Sequence, residues 1–580
     1  MILSLNAWCR SVWGLAMVSP ALAGVDLTFD NLSGLPPAEV HVMFGGMSTA
    51  DFSGTCHGQA LEVKRDYTLA DFGGQPVTIS RLWGGKIFIS YGAGLIAGSP
   101  HPGYPDFQPL SGDPATKVRW DKIELSYWDG HHSGVNLSAA DFYSIPMAVT
   151  TTRAGAPVKS IGWSKVTPSR TVYRRLVELT DGSATQSNCL VEAAGTAIPY
   201  GVSVPVNGVE KKLVRIISPA NVRLDQPNPY PAIAVPVGST AWITGTYGGV
   251  GGNATATLPG IAYAWQTYDF TSRVAANGDL MLTGSGSLTG NVVLTVKAGD
   301  VAQGMYSSAP PYYLSSTGSL AHDNTNCVYD AVLSDVIAAY NLGLVSTTTP
   351  DPRPQANVSG LPMGTMTSDA WFSRGPQYGL NPQLKPAWLF GFLQADPARY
   401  NRYASYLSSV TDAYSFPYTD KTAAPFLELL TPGQEATAPT GMTITLLPDD
   451  PSTLTYEGWK TAHFGAAVAT PATSGDLADP DGDGLENLLE YVLGTDPLVA
   501  GPGFAASSYF SSGTVEWTCD LNAGATGIQV SVEGSADLQT WTDVAAECAV
   551  LSNQDGVKKV KFTVRTGGAL RQMFRLKARR

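Results

Sequence analysis

Residues 118–147 hold two carboxylates whose setting suits paired acid and base chemistry. In the run from Val118 to Trp128 strand geometry puts Ile123, Leu125 and Tyr127 on one face and Glu124, Ser126 and Trp128 on the other. One face belongs to a core and the other can line a cleft. A turn over residues 129–134 returns the chain through Val135, Asn136, Leu137 and Ser138, which alternate in the same sense, and Asp141 follows. A hairpin centred near His131 brings Asn136 and Ser138 back beside Ser126 and Glu124, with Asp141 a few residues further along. Two carboxylates then flank one groove, the arrangement that glycoside hydrolysis uses: an acid protonates the leaving oxygen while a second carboxylate works on the opposite face of the sugar. Carboxyl groups about 6.5–9.5 Å apart leave room for a water and imply inversion. Ser126 and Asn136 supply hydroxyl and amide partners for sugar hydroxyls, and Trp128 an apolar face for a pyranose ring. A Glu and an Asp on a hairpin are, taken alone, more often solvated surface groups.

A second constellation lies at Asp479-Pro480-Asp481-Gly482-Asp483-Gly484-Leu485-Glu486-Asn487-Leu488-Leu489-Glu490, which satisfies D-x-D-x-D-G-x5-E in full. Hard cations need oxygen ligands. This spacing offers the side chains of Asp479, Asp481, Asp483 and Glu490, the carbonyl of Leu485 and a water-mediated contact through Asn487, with Gly484 for the sharp turn. Structural Ca²⁺ is the expected cation, and no cofactor is expected in the carboxylate groove. An ordinary EF-hand has an apolar residue where this loop has Glu486. The alternative is an acidic linker without a ligand.

What is missing narrows the field. There is no G-x-S-x-G elbow, no H-E-x-x-H and no P-loop. The adjacent His131 and His132 sit in a glycine-bounded turn and point in different directions, a poor metal pair. A net charge of −12 offers no basic face for a phosphate backbone, so nucleic acid is a poor partner. No stretch after the first residues approaches the roughly 18–20 apolar residues of a membrane span.

The elements that must position these groups are mostly strands. The 580 residues call for more than one folded unit, and 61 Gly with 40 Pro favour a turn-rich β chain. Residues 1–23 read as an export leader: Arg10, a short apolar stretch over 11–17, and Ala21-Leu22-Ala23 for the cleavage. The product is a secreted or cell-surface protein. From Val25 to about Pro448 short alternating strands, such as 86–90 and 292–296, are interrupted by a helix over 327–342 and another begun by Asp396-Pro397 before Tyr400, Tyr403 and Leu407. The Pro, Asp, Ser and Thr run at 448–453 marks a boundary. The units are therefore 24–450, a helical spacer with the acidic loop at 451–500, and a small antiparallel sandwich at 501–580. Without the leader's Cys9 an odd number of cysteines remains, and Cys519 with Cys548 is the pair to bridge first. The last thirty residues hold nine Lys or Arg against one Asp, read first as a solvated strand face and alternatively as a surface that docks on an anionic cell surface.

The segments Ile123–Tyr127, Val135–Phe142 and Ile145–Met147 resemble the catalytic segment of glycoside hydrolase family 64, bacterial endo-β-1,3-glucanases related to thaumatin. The similarity extends to Arg81–Phe88, to the helix around 332–342 and to Asp412–Asp420, and covers approximately residues 25–448. It implies Glu124 as general acid and Asp141 as general base of an inverting mechanism on a β-1,3-glucan. It also implies a mainly β fold with minor α: a thaumatin-like β-barrel lobe joined to an α/β lobe around a wide groove. Ser126 stands where the family often has Thr, and the Tyr418-Thr419-Asp420 stretch departs from its usual paired acids, which leaves Asp420 as a candidate sugar contact. The stretch from Trp459 through Phe464 to Pro497 resembles the calcium-binding spacer repeats of dockerin and thrombospondin type 3 loops, with Leu485, Leu488, Leu489, Val492 and Leu493 as a helical stripe packing under Trp459 and Phe464. The rival readings are a catalytically silent glucan-binding protein on the same scaffold and a cell-surface adhesion protein.

Overall fold

The computed structural model describes residues 24–45, 51–95, 105–109, 112–128, 133–163, 167–193, 200–223, 225–238, 240–247, 266–286, 290–299, 301, 305–306, 314–315, 333, 337, 340–342, 357–358, 361–362, 397–417, 427–431, 433–450, 455–498, 507–511, 513–554, 557–565 and 573–580. The leader, His131, His132, Cys327, Asp420 and most of the helix expected at 327–342 lie outside them.

The alternating segments pair into one twelve-stranded sheet. Its members include β1 (Val25–Asn31), β2 (Val40–Gly45), β3 (Phe52–Cys56), β4 (Val77–Tyr91), β5 (Arg119–Trp128), β6 (Ser133–Leu137), β7 (Met147–Arg153), β8 (Ala156–Gly162), β9 (Leu427–Leu430) and β10 (Gly441–Leu446). The main path runs β8-β7-β10-β1-β4-β5-β6-β9, with β2 and β3 also on β4. The end strands β8 and β9 touch, so the sheet comes close to closing as a barrel. β1 and β10 pair in parallel, Asp26 with Gly441 through Asn31 with Leu446, which brings the entry and exit of this unit side by side. Val25, Leu27, Ile87, Ile89, Ile123, Val149 and Ile444 are fully buried in its core.

A second layer packs where β6 ends. Phe142 and Tyr143 pair with Ile217 and Ile216 of a small sheet that includes Leu190–Glu192, Val202–Val206 and Val209–Ile217. Helix α1 (Ser169–Glu178) buries Val172, Tyr173, Leu176 and Val177. Two buried arginines tie this layer to the barrel. Arg215 donates to the carbonyls of Thr116 (3.0 Å) and Val118 (2.9 Å) and lies over the Trp120 ring. Arg119 donates to the Ser144 carbonyl (2.9 Å) and, through two nitrogens, to both Asp449 oxygens at 2.6 and 2.7 Å. A guanidinium matches a carboxylate in this forked geometry.

Helix α2 (Arg402–Val410) starts later than expected. Pro397–Arg399 makes only a 3₁₀ turn, and the Asn401 side chain accepts the Ala404 N–H at 3.0 Å. A short polar side chain there satisfies one of the free N–H groups of the first turn.

The C-terminal part has helices α3 (Tyr456–Phe464) and α4 (Asn487–Leu493), then strands β11 (Thr514–Asn522), β12 (Gln529–Ser535), β13 (Ala546–Gln554), β14 (Val557–Arg565) and β15 (Met573–Arg579). β11, β14 and β13 belong to one antiparallel sheet, β12 and β15 to another. Leu488, Leu489 and Val492 of α4 join Trp459, Phe464, Trp517, Phe562 and Leu576 in one apolar cluster, so helices and sandwich share a core. The expected Cys519–Cys548 bridge is absent and both are free thiols. The reason is topological: Cys519 pairs with Val560 and Cys548 with Phe562, so β14 runs between them. Two strand spacings of about 4.8 Å exceed the 4.4–6.8 Å Cα separation of a disulfide.

Most of the described basic residues at the end of the chain pair within the molecule. Arg575 and Arg579 pair with Glu533, Lys577 with Glu486, Lys561 with Glu516, and Arg580 with Asp476 and Glu457. Among the described residues no helix is long and apolar enough to cross a membrane.

Candidate active site

β5 behaves as its alternation implies: Ile123, Leu125 and Tyr127 are buried, while Glu124, Ser126 and Trp128 are half-buried on the other face. The hairpin register differs by two residues from the expected one. Glu124 pairs with Asn136 and Ser126 with Gly134. The cause is a shorter turn: β6 resumes at Ser133, whose hydroxyl accepts the Trp128 N–H at 3.0 Å and closes the end of the ladder. Ser138 therefore does not sit beside Glu124; it bridges to Tyr414 on the other side, where the Ala139 N–H donates to the Tyr414 carbonyl at 2.7 Å.

On its other flank β5 pairs with β4, and Lys86 lies directly opposite Glu124. The Lys86 ammonium is 3.4 Å from Glu124 Oε1, with both side chains partly exposed. Next along, a bulge carries Trp83 and Gly84 between Leu82 and Gly85. Gly84 has φ +54° and donates its N–H to Ser126 Oγ at 3.1 Å. Ser126, expected as a sugar contact, thus holds the bulge with one lone pair, and its hydroxyl proton and second lone pair are left for a ligand. Trp128 is likewise partly committed. The Arg81 guanidinium lies 4.1 Å from its ring centroid, and Trp83 meets it edge-on at 5.1 Å. Asn136, across from Glu124, has a buried Oδ1 without a hydrogen-bond partner.

Asp141 stands past the end of β6 in a segment fixed on every side. Its carbonyl accepts the Ser218 N–H at 2.9 Å, the Asn221 amide donates to the Ala140 carbonyl at 3.1 Å, and the Tyr403 hydroxyl donates to the Ala139 carbonyl at 3.0 Å. Behind it, buried Asp121 accepts the N–H groups of Ser144 and Ile145, each at 3.1 Å. Burial pushes the Asp121 carboxyl up to about 6, with Lys122 and the backbone N–H donors opposing. The Asp141 carboxylate itself is held by two groups: Lys122 Nζ is 2.7 Å from Oδ2, and Asn221 Nδ2 donates to Oδ1 at 3.1 Å. Lys122 is completely buried, while Asp141 keeps 27% of its side chain exposed. The face therefore presents Glu124 and Asp141, each against a lysine that the sequence reading passed over. Lys122 shares the period-two face of Glu124, a signal that could have found it. Asn221 is 80 residues from Asp141 and has no local signal.

In the acidic loop the carboxylate oxygens of Asp479, Asp481 and Asp483 lie within 4.8 Å of one another. Loop N–H groups orient them: Gly482 and Gly484 donate to the two oxygens of Asp479, Asp483 to Asp481, and Leu485 to Asp483, at 2.8–3.1 Å. Glu490 is fully buried on α4; Oε1 accepts from the Thr495 hydroxyl and Oε2 has no hydrogen-bond partner, as is true of Asp481 Oδ2. Burial, reinforced by Asp481 and Asp483, pushes the Glu490 carboxyl up to about 9, and burial with Asp483 and Asp479 beside it raises Asp481 to about 6. Converging carboxylates with orphaned oxygens fit a divalent cation. The Asn487 amide donates to the Thr473 and Gly475 carbonyls at 2.8 Å and anchors the helix start, while its Oδ1 has no hydrogen-bond partner. Glu486, the departure from the EF-hand pattern, accepts Lys577 Nζ through both oxygens at 2.8 Å and ties the loop to β15.

A nearly closed β-barrel carrying a carboxylate pair on an accessible face defines a class to which known proteins can be compared. Residues 43–215 match the family model of glycoside hydrolase family 64, β-1,3-glucanase, so the resemblance read from the sequence holds over the stretch that contains Glu124 and Asp141. The chain is also similar to a β-1,3-glucanase domain from Clostridium beijerinckii, with 13% identity over 73% of this chain and 98% of that one at a TM-score of 0.40. A laminaripentaose-producing β-1,3-glucanase from Paenibacillus barengoltzii complexed with laminarihexaose is 14% identical over 75% of this chain and 78% of that one, at a TM-score of 0.38. No curated protein matches the chain.

Proposed function

We propose that the chain is an exported endo-β-1,3-glucanase that cuts laminarin- or curdlan-type glucan to short oligosaccharides with inversion. The observation that carries this reading is the unequal setting of two carboxylates beside one face. Asp141, at 2.7 Å from a buried ammonium, is strongly favoured as carboxylate. Glu124 meets its lysine at 3.4 Å, with both side chains partly exposed. The family resemblance implies Glu124 as the acid and Asp141 as the base, and the closer ion pair falls on the base.

Inversion is the outcome the family resemblance implies; Lys122 and Glu124 are second neighbours on one face of β5, and Asp141 pairs with Lys122. Asp141 takes a proton from a water whose oxygen bonds to the anomeric carbon; the bond from that carbon to the bridging oxygen breaks, and Glu124 gives that oxygen its proton. The α anomer is the first product. The Asn136 amide oxygen and the Trp83–Trp128 pair line the same face and suit sugar hydroxyls and ring faces. In the C-terminal part, Asp479, Asp481, Asp483 and Glu490 would hold a structural Ca²⁺ with the Leu485 carbonyl, remote from the chemistry. Proton NMR of the first reducing ends released from laminarin, taken before mutarotation, tests the reading: α signals are expected, and β signals first would overturn the role of Asp141.

A further inference from the structure

We propose that Lys122 is a positioning residue for this reaction, one that keeps Asp141 ionised and aims it; the proposal rests on Asp141 being the base. Lys122 has no exposed side-chain surface, and its ammonium lies 2.7 Å from Asp141 Oδ2 and 4.6 Å from the Phe142 ring centroid. An ammonium is taken out of water only where an opposite charge meets it. For stability alone, an apolar residue of similar volume would serve a core position as well or better. The pair is also lopsided: the cation is sealed inside and only the carboxylate reaches the accessible face. Oδ2 faces the Lys122 ammonium as an ion pair and Oδ1 accepts from Asn221, so each carboxylate oxygen has a partner on the protein side. An acceptor locked in this way offers its remaining lone pairs in one direction, toward the open face where a water would be activated.

The surrounding charges do not substitute for Lys122. Glu124 and Lys86 share its face two residues along β5. Asp121 lies behind β5 and is held by the Ser144 and Ile145 N–H groups. From α2, Tyr403 reaches the Ala139 carbonyl, and from Val209–Ile217, Arg215 lies over the Phe142 ring, 5.0 Å from its centroid.

The test compares Lys122→Met, Lys122→Gln and Lys122→Arg in the full chain, with laminarin as substrate. For Met and Gln, kcat falls about 100-fold with little change in KM, as misplacing a reacting group does. The acid limb of kcat/KM moves to higher pH by about one unit or more, because the carboxylate has lost the charge that favoured it. Lys122→Arg restores part of kcat and returns the limb toward its original position. A folded Met or Gln variant with an unshifted acid limb overturns the proposal. Gln, polar and close in size, keeps the test readable if Met disturbs folding. Asp141→Asn is measured alongside. If it is inactive and rescued by azide while the lysine variants behave as wild type, the base stands and Lys122 falls; if it retains full activity, the base falls and takes this proposal with it.

Discussion

Replacing Asp449 with Ala strands the Arg119 guanidinium, which is 1% exposed and has Asp449 as its counter-charge at 2.6 and 2.7 Å. Removing one member of a fully buried pair costs about 3–5 kcal/mol; here Asp449 keeps 48% of its side chain exposed and water screens the pair, so about 2–3 kcal/mol is expected. Unfolding entropy of roughly 2.1 cal/mol/K per residue over about 400 residues converts this to a loss of about 2–4 °C in the barrel's melting transition. The pH dependence has a definite sign. Burial works against the charged form of Asp449, yet the charge and hydrogen bonds of Arg119 hold its carboxyl below the ordinary range. A depressed native value contributes stability above the unfolded carboxylate value, about 3.9, and that stability is lost as pH falls through the native one. The wild type and Asp449→Ala therefore differ by a constant amount from neutrality down to about pH 5, and converge in stronger acid. Arg119 also carries the Ser144 carbonyl, three residues beyond Asp141, so catalysis should fall with stability. Pairing Arg119→Met with Asp449→Leu should recover most of the loss, since neither charge then remains. Scanning calorimetry across pH provides the measurement. A drop below about 1 °C in the single variant, corresponding to under roughly 1 kcal/mol, would refute the reasoning.

Two further outcomes are expected. Glu124→Gln keeps the shape and removes the proton, so laminarin turnover should fall about 10²–10⁴-fold with an unchanged melting transition; retention of half the wild-type rate would exclude Glu124 as the acid. Chelation with EDTA should lower the melting transition of the C-terminal unit and leave initial rates nearly unchanged, and calcium should restore it; an immediate loss of hydrolysis before unfolding would contradict a purely structural cation.

The parts legible in the sequence are those written in neighbouring residues. The alternation through β5 separates Ile123, Leu125 and Tyr127 from Glu124, Ser126 and Trp128 because a strand repeats every two residues. The acidic loop is legible for the same kind of reason: its carboxylates lie within twelve consecutive positions, and its turns use Gly482 and Gly484 at φ +76° and +90°, where glycine is at ease. The stripe of Leu488, Leu489 and Val492 follows from helical repeat and packs in one cluster with Trp459 and Phe464. Register was harder, since the period of two specifies a face but not which residue lies opposite. Ser133 moved the hairpin by two residues and replaced Ser138 by Asn136 beside Glu124.

Only the tertiary structure decided the rest. Lys122 could be seen as a lysine on a strand, but its meeting with Asp141 depends on how the chain turns after β6, and Asn221 arrives from 80 residues away. The basic C-terminal strands read as a charged face until Lys577 found Glu486, 91 residues earlier, and Arg580 found Asp476. Backbone preference and side-chain periodicity are local properties and can be read from a stretch of chain. Which distant charge, thiol or strand ends up alongside is set by the closure of the sheet and the burial it produces, and no neighbouring residue records it.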